Sequence, residues 1–180
     1  MVNLLGICGS TRKASLNRAL LEALAAVMPE GASLAIWEHG LDLPIFSSDL
    51  AEPPRITELK HAIATAHGVV IAVPEYNYSI PGGLKNALDW VSRPPAASPM
   101  RRKPVGLIGA ASGMSGTIRA QTHMRQILLY SDTPCLGQPE VLIPRAQDRF
   151  QNGRLTDEST RELLSSFARA MIAFVGIHTT

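Results

Sequence analysis

Cysteine is nearly absent from this 180-residue chain: there are two, Cys8 and Cys135, far apart in the sequence. A disulfide-stapled secreted scaffold needs a denser set, and a zinc site needs closely spaced ligands, which neither these two nor the five histidines provide. No metal site is expected. Long hydrophobic runs are missing too: nothing approaches the roughly 18 apolar residues of a membrane span, and the opening Met-Val-Asn has no basic region before an apolar stretch. Secretion and membrane insertion are therefore not expected, and a reducing cytoplasm is. Aromatic residues make up only 5%, and 17 Lys+Arg stand against 15 Asp+Glu for a net charge of +2. That balance gives no electrostatic footprint for nucleic acid, and Arg101-Arg102-Lys103 reads as a short solvated run. What is present is 46% hydrophobic residues. A chain of this length can bury roughly 70% of its unfolded surface and close a core without metal or disulfide. No repeat, low-complexity tract or linker divides it, so one domain over 1–180 is expected.

Short apolar runs alternate with segments of helical period. Leu4 to Cys8 reads as a strand, and Leu16, Ala19, Leu20, Ala23, Leu24 and Val27 form the stripe of a helix ended by Pro29-Glu30-Gly31. A second strand at Leu34 to Trp37 precedes a helix entered through Pro53-Pro54. Val69 to Val73 is continuously apolar and β-branched apart from Ala72, as in a central parallel strand covered on both faces. A helix opening near Pro81 carries Leu84, Ala87, Leu88 and Val91. Val105 to Ile108, a helix from Thr117 to Tyr130, and Glu140 to Ile143 follow; Asn152-Gly153 signals a turn, and Thr156 is the expected N-cap of a last helix through Val175. Five strands alternating with five helices predict an α/β fold with a doubly wound parallel sheet, the flavodoxin-like order 2-1-3-4-5 being the economical one. In such a sheet a ligand lies beyond the carboxyl ends of the strands where their order reverses, so the loops after strands 1, 3 and 4 should carry the chemistry.

Those three loops have the least ordinary sequences. Gly9-Ser10-Thr11-Arg12-Lys13-Ala14-Ser15-Leu16-Asn17 offers hydroxyls, backbone amides and two cations at a helix N-terminus, which suits a phosphate. It is neither a Walker A loop nor a G-x-G-x-x-G fingerprint, and a plain capped helix with Ser15 as N-cap explains the same residues. The run 74–90, Pro-Glu-Tyr-Asn-Tyr-Ser-Ile-Pro-Gly-Gly-Leu-Lys-Asn-Ala-Leu-Asp-Trp, is stiff and presents flat apolar surface with free amides, able to hold a planar heterocycle. Ala110 to Thr117 is small enough for close backbone approach. Cys8 reads as a core residue and His123 as a surface or interface residue, and no Ser-His-Asp set is legible.

On these three loops, and on Phe-Gln-Asn-Gly-Arg-Leu-Thr-Asp-Glu at 150–158, the chain resembles the NADPH-dependent FMN reductase family, the flavodoxin-like quinone, chromate and azo-compound reductases. The resemblance implies FMN, with its phosphate held by Ser10, Arg12, Ser15, Leu16 and Asn17, its ring and ribityl chain along Pro74, Glu75, Tyr76 and Asn77, and a third side closed by Ser112 and Gly113. It implies NADPH or NADH as donor, hydride passing through flavin N5 to a quinone or similar small acceptor in a ping-pong cycle, and no catalytic protein nucleophile, Tyr76 and Asn77 lining the ring. Two other readings stand beside it: a reductase supplying reduced FMN to a monooxygenase, and a flavodoxin-like carrier or sensor. The net charge of +2 speaks against the last, since flavodoxins are usually acidic. For a 2′-phosphate, Arg12, Lys13 or Arg101 are the candidate partners. The resemblance further implies a homodimer, and in its tetrameric members an Arg-Tyr-Glu set links subunits. Arg119 and Glu140 match the Arg and Glu, whereas Thr122 replaces the Tyr and Thr117 replaces the second Gly of a Gly-Gly pair. Thr at a position of positive φ would be strained where Gly is not.

Overall fold

A run of β-branched residues with no polar member can be stable only where both faces are covered, and Gly68–Ala72 occupies that position as β3. A computed structural model, which describes residues 1–178, has β1 (Val2–Cys8), β2 (Ala32–Ile36), β3, β4 (Val105–Ala110) and β5 (Val141–Ile143) in one parallel sheet ordered β2-β1-β3-β4-β5. Pleating sends alternate residues of β3 to opposite sides. Val70 and Ala72 pack with α1 (Leu16–Ala26) and α5 (Glu158–His178) through Leu20, Leu24, Phe167 and Met171. Val69 and Ile71 pack with α2 (Pro54–Thr65), α3 (Gly82–Val91) and α4 (Ile118–Leu129) through Leu59, Ile63, Leu84, Val91 and Met124.

Sequence and structure differ at several boundaries for local reasons. Strand β2 begins at Ala32 and not at Leu34, directly after the left-handed Gly31. A short antiparallel hairpin, β6 (Phe150–Gln151) with β7 (Arg154–Leu155), forms around Asn152-Gly153, where only the turn was legible. Thr156 does not cap α5: its hydroxyl donates to the Arg149 carbonyl at 3.1 Å, and Asp157 takes the cap by accepting from the Thr160 amide at 2.8 Å. Because every strand of the sheet is parallel, all five carboxyl ends share one edge, and the chain crosses from the β2 side to the β3 side of β1 there, leaving a crevice.

Candidate functional site

The first loop joins β1 to α1 at that crevice. Ser15 is the N-cap, its hydroxyl accepting from the Arg18 amide at 3.2 Å. The amides of Leu16 and Asn17 lie in the first helical turn, where no intrahelical acceptor exists, and remain available to an anion. The Ser10 hydroxyl accepts from the Arg12 amide at 3.3 Å and keeps its own proton to donate. Arg12 and Lys13 are exposed, and neither forms an ion pair among the described residues. Gly9 is obligatory: a Cβ there would stand 2.8 Å from Pro74 Cδ and 2.8 Å from Leu84, so the first and second loops touch only because this side chain is missing. Cys8 lies beside them with its thiol pKa pushed up by burial, hence protonated at neutral pH and a poor nucleophile.

The second loop is held rigid. Tyr76 and Ser79 exchange both backbone bonds, 2.9 and 3.0 Å, around Asn77 and Tyr78, whose φ values of 50° and 65° make a two-residue hairpin turn. Three contacts clamp this hairpin to α4. The Glu75 carboxylate accepts from the Arg119 guanidinium at 3.0 Å and from the Arg119 and Ala120 amides at 3.1 and 3.4 Å. The Arg119 guanidinium lies 4.2 Å from the centroid of the Tyr78 ring, and Ser79 Oγ is 3.0 Å from His123 Nδ1. Burial by itself would raise the Glu75 pKa, but the bonds from Arg119 and from the α4 amides outweigh it and hold the carboxyl below its ordinary value. The remainder of the 74–90 motif is anchorage: Asn86 donates to the Leu43 and Pro44 carbonyls at 3.2 and 2.9 Å, and Trp90 donates to Pro44 at 2.8 Å.

The third loop carries the strain anticipated for Thr117. It lies at φ 73°, left-handed and fully buried, with its Oγ1 accepting from Gln121 at 3.2 Å. Gly109 makes room for it, since a Cβ there would fall 1.8 Å from Thr117 Oγ1.

These loops enclose a cleft of about 290 Å³ lined by Ser10, Arg12, Ser15, Leu16, Asn17, Pro74, Glu75, Tyr76, Ser112 and Gly113, with Ala110, Ala111 and Ser115 completing it. Of the residues that the family resemblance gives to FMN, Asn77 alone is outside that lining, at the hairpin tip. Two others line the cleft with side chains that are engaged elsewhere in the fold. The Asn17 side chain is buried and bonds Ala110 in both directions, at 2.9 and 3.0 Å, tying α1 to the end of β4. The Glu75 side chain turns to α4, as described, so only its backbone is free. Arg101 belongs to the turn preceding β4, at the amino end of the sheet, and is removed from the cleft. Within the chain Arg119 pairs with Glu75, Glu140 is exposed, and the Thr122 hydroxyl donates back to the Ile118 carbonyl. Ala110, Ala111 and Ser115 belong to the third loop expected at the cleft, whereas the clamp residues Arg119 and His123 were not legible as supports of the cleft, because their contribution depends on the crossing of α4 behind the hairpin.

Known proteins resemble the chain over nearly its whole length. An NAD(P)H-dependent FMN reductase of Pseudomonas aeruginosa is 40% identical over 178 residues, covering 97% of this chain and 95% of the relative. A 2-hydroxy-1,4-benzoquinone reductase of Burkholderia sp is 40% identical over 172 residues, covering 94% and 93%. The solved structure of a flavoenzyme NAD(P)H:(acceptor) oxidoreductase from Paracoccus denitrificans superposes with a TM-score of 0.89 at 32% identity, covering 99% of both chains. With the family model described as NADPH-dependent FMN reductase matching residues 2–148, the chain belongs to that family.

Proposed function

We propose that the protein is an NAD(P)H-dependent, FMN-containing oxidoreductase that reduces quinones or similar small acceptors. The observation that carries this reading is the pairing, across one cleft, of an anion cradle at the start of α1 with a rigid loop whose Tyr76 ring and Pro74 are flat and apolar. FMN fits that donor set. Its phosphate would take the unpartnered Leu16 and Asn17 amides, the Ser10 and Ser15 hydroxyls and Arg12. Its ring system would lie along the Pro74 to Tyr76 backbone, with Gly113, beside which a Cβ would meet nothing within 4 Å, leaving the opposite side open. Bound FMN would supply two-electron hydride chemistry between a reduced nicotinamide and the acceptor.

The protein residues bind, orient and exclude. Glu75, locked onto α4, keeps its negative charge away from the anion cradle and fixes the hairpin. Cys8 stays a neutral thiol and takes no part. One cleft serves donor and acceptor in turn, the order of a ping-pong cycle. A second copy of the chain is the natural cover for the exposed Tyr76, Tyr78 and Ile118 around the cleft and for Leu129 and Tyr130 at the far end of α4. No helix among the described residues is long and apolar enough to cross a membrane, and two free thiols suit the cytoplasm. The test is the visible spectrum of the purified protein followed by anaerobic NADPH. A flavin spectrum that bleaches fully is expected; a protein that takes up no flavin on reconstitution, or whose flavin is not reduced by either nicotinamide donor, would overturn the reading. Gel filtration with light scattering tests the homodimer.

A further inference from the structure

The cations at the carboxyl edge of the sheet are not equivalent. Arg12 and Lys13 belong to the first loop, and Arg119 is taken up by Glu75. Arg145 is different, because the chain leaves β5 at Ile143 and turns at once into a left-handed conformation at Arg145, φ 45° and ψ 44°. Two backbone bonds impose that turn: the Arg145 amide donates to the Gly113 carbonyl and the Ala146 amide to the Ala111 carbonyl, each at 3.0 Å. Both acceptors belong to the third loop, whose Ala111, Ser112 and Gly113 wall the cleft. The side chain is exposed, and its Nε rests on Met114 Sδ at 3.1 Å. It forms no ion pair among the described residues, and Asp148, the nearest acid in sequence, leaves it unpaired as well. Glycine or asparagine would make the same turn with less strain, so the backbone geometry does not call for arginine.

Position decides which anion this guanidinium can meet. In the order β1-β3-β4-β5, β5 lies three strand spacings from β1, about 14 Å at ~4.8 Å per spacing, so Arg145 starts from a strand end well apart from the helix N-terminus of the first loop. A nicotinamide dinucleotide brings further phosphoryl groups, and with its nicotinamide in the cleft these must pass outward over a rim. On the proposed reading the first loop gives its amides, its hydroxyls and Arg12 to the flavin phosphate, whereas the third-loop rim presents a planar guanidinium that forms no ion pair among the described residues, its Nε on an exposed methionine.

We propose that Arg145 is a donor-binding residue whose guanidinium pairs with a phosphoryl group of the dinucleotide donor. The inference rests on the reading of the chain as an NAD(P)H-dependent oxidoreductase, and the 2′-phosphate and the pyrophosphate are the two sources of that chemistry.

The experiment uses the FMN-loaded protein and its Arg145→Gln and Arg145→Lys variants. The readouts are KM for NADPH and for NADH, calorimetric binding of adenosine 2′,5′-bisphosphate and of adenosine 5′-diphosphate, FMN dissociation constant and thermal midpoint. Arg145→Gln is expected to raise a donor KM about fivefold to fiftyfold, with FMN affinity and thermal midpoint unchanged and partial recovery in Arg145→Lys. A rise confined to NADPH with lost bisphosphate binding assigns the 2′-phosphate; a rise shared by NADH with lost diphosphate binding assigns the pyrophosphate. Unchanged KM for both donors, or an effect on the acceptor KM alone, overturns the proposal. Wild-type protein that takes up FMN but oxidises neither donor would instead overturn the functional reading itself, and this inference with it.

Discussion

Replacing Arg119 by Met deletes the guanidinium that holds the Glu75 carboxylate and covers Tyr78, while keeping an unbranched stem against the ring. The bond removed is 3.0 Å long, to a carboxylate whose side chain is 8% exposed, from an arginine that is 48% exposed. A hydrogen bond to a charged partner contributes about 1.5–3 kcal/mol when desolvated, and half-exposure of Arg119 places this one near the lower end. The cation over Tyr78 adds about 0.5–1 kcal/mol. Two α4 amides remain on Glu75 and keep its charge partly satisfied, so the expected loss is about 1–2.5 kcal/mol of folding stability, not the larger penalty of an orphaned buried charge. Urea denaturation of the FMN-free protein measures it, and a double-mutant cycle with Glu75→Gln should return a coupling of about 1–2 kcal/mol at pH 7. Because the Glu75 pKa is depressed below its ordinary value of 4.5, the coupling is complete above that value and is lost as pH falls through the folded-state pKa. With the Tyr78 tie removed and the Glu75 tie weakened, FMN affinity should fall several-fold in Arg119→Met. A coupling under about 0.3 kcal/mol at neutral pH, the level of an exposed pair, would refute the clamp.

Removing the first-loop cation in Arg12→Ala should weaken FMN binding by about 1–3 kcal/mol, measured by flavin fluorescence quenching, and unchanged affinity would take Arg12 out of the phosphate site. Gly109→Ala drives a methyl into Thr117 Oγ1 and should destabilise by about 1–3 kcal/mol in thermal or urea melts, with partial rescue in the Gly109→Ala/Thr117→Gly double variant, which removes both the clashing side chain and the left-handed threonine. Asp157→Ala removes the α5 cap at a cost of about 0.5–2 kcal/mol. The hydroxyls of Thr160 and Ser159, the Thr160 amide and Arg149 hold the Asp157 carboxyl far below the carboxylate range, so the wild-type advantage is full above 3.8 and shrinks as acid titrates the folded state.

Particular residues show where the sequence was readable. The alternation at Val69, Val70 and Ile71 and the 3.6-residue stripe at Leu84, Ala87 and Val91 report burial directly, because apolar side chains follow the geometry of the element that buries them. Ser15 was legible as a cap because a hydroxyl at a helix start has one nearby use. Polar residues with several available partners were not readable in the same way. Asn17 and Glu75 stand inside recognisable loops, yet one bonds the end of β4 and the other the start of α4, choices set by strands and helices distant in sequence. Thr156 and Asp157 are adjacent capping residues, and only the hairpin before them, which claims the Thr156 hydroxyl, decides between the two.

The sequence by itself determined the layered architecture, the strand order and the edge at which the loops meet, since hydrophobic periodicity and the handedness of parallel crossovers leave few alternatives. It also determined that a phosphate-binding composition and a flat, stiff loop would be neighbours. Tertiary structure alone decided which side chains in those loops stay free. Packing β4 against α4 forced Thr117 into a left-handed turn over Gly109, closing α4 onto the hairpin consumed Glu75 and Arg119, and bringing the end of β5 beside the third loop delivered Arg145 to the rim. A charge is available to a ligand only when no nearer group of the fold satisfies it, and that competition is settled by distances between segments that the linear sequence does not contain.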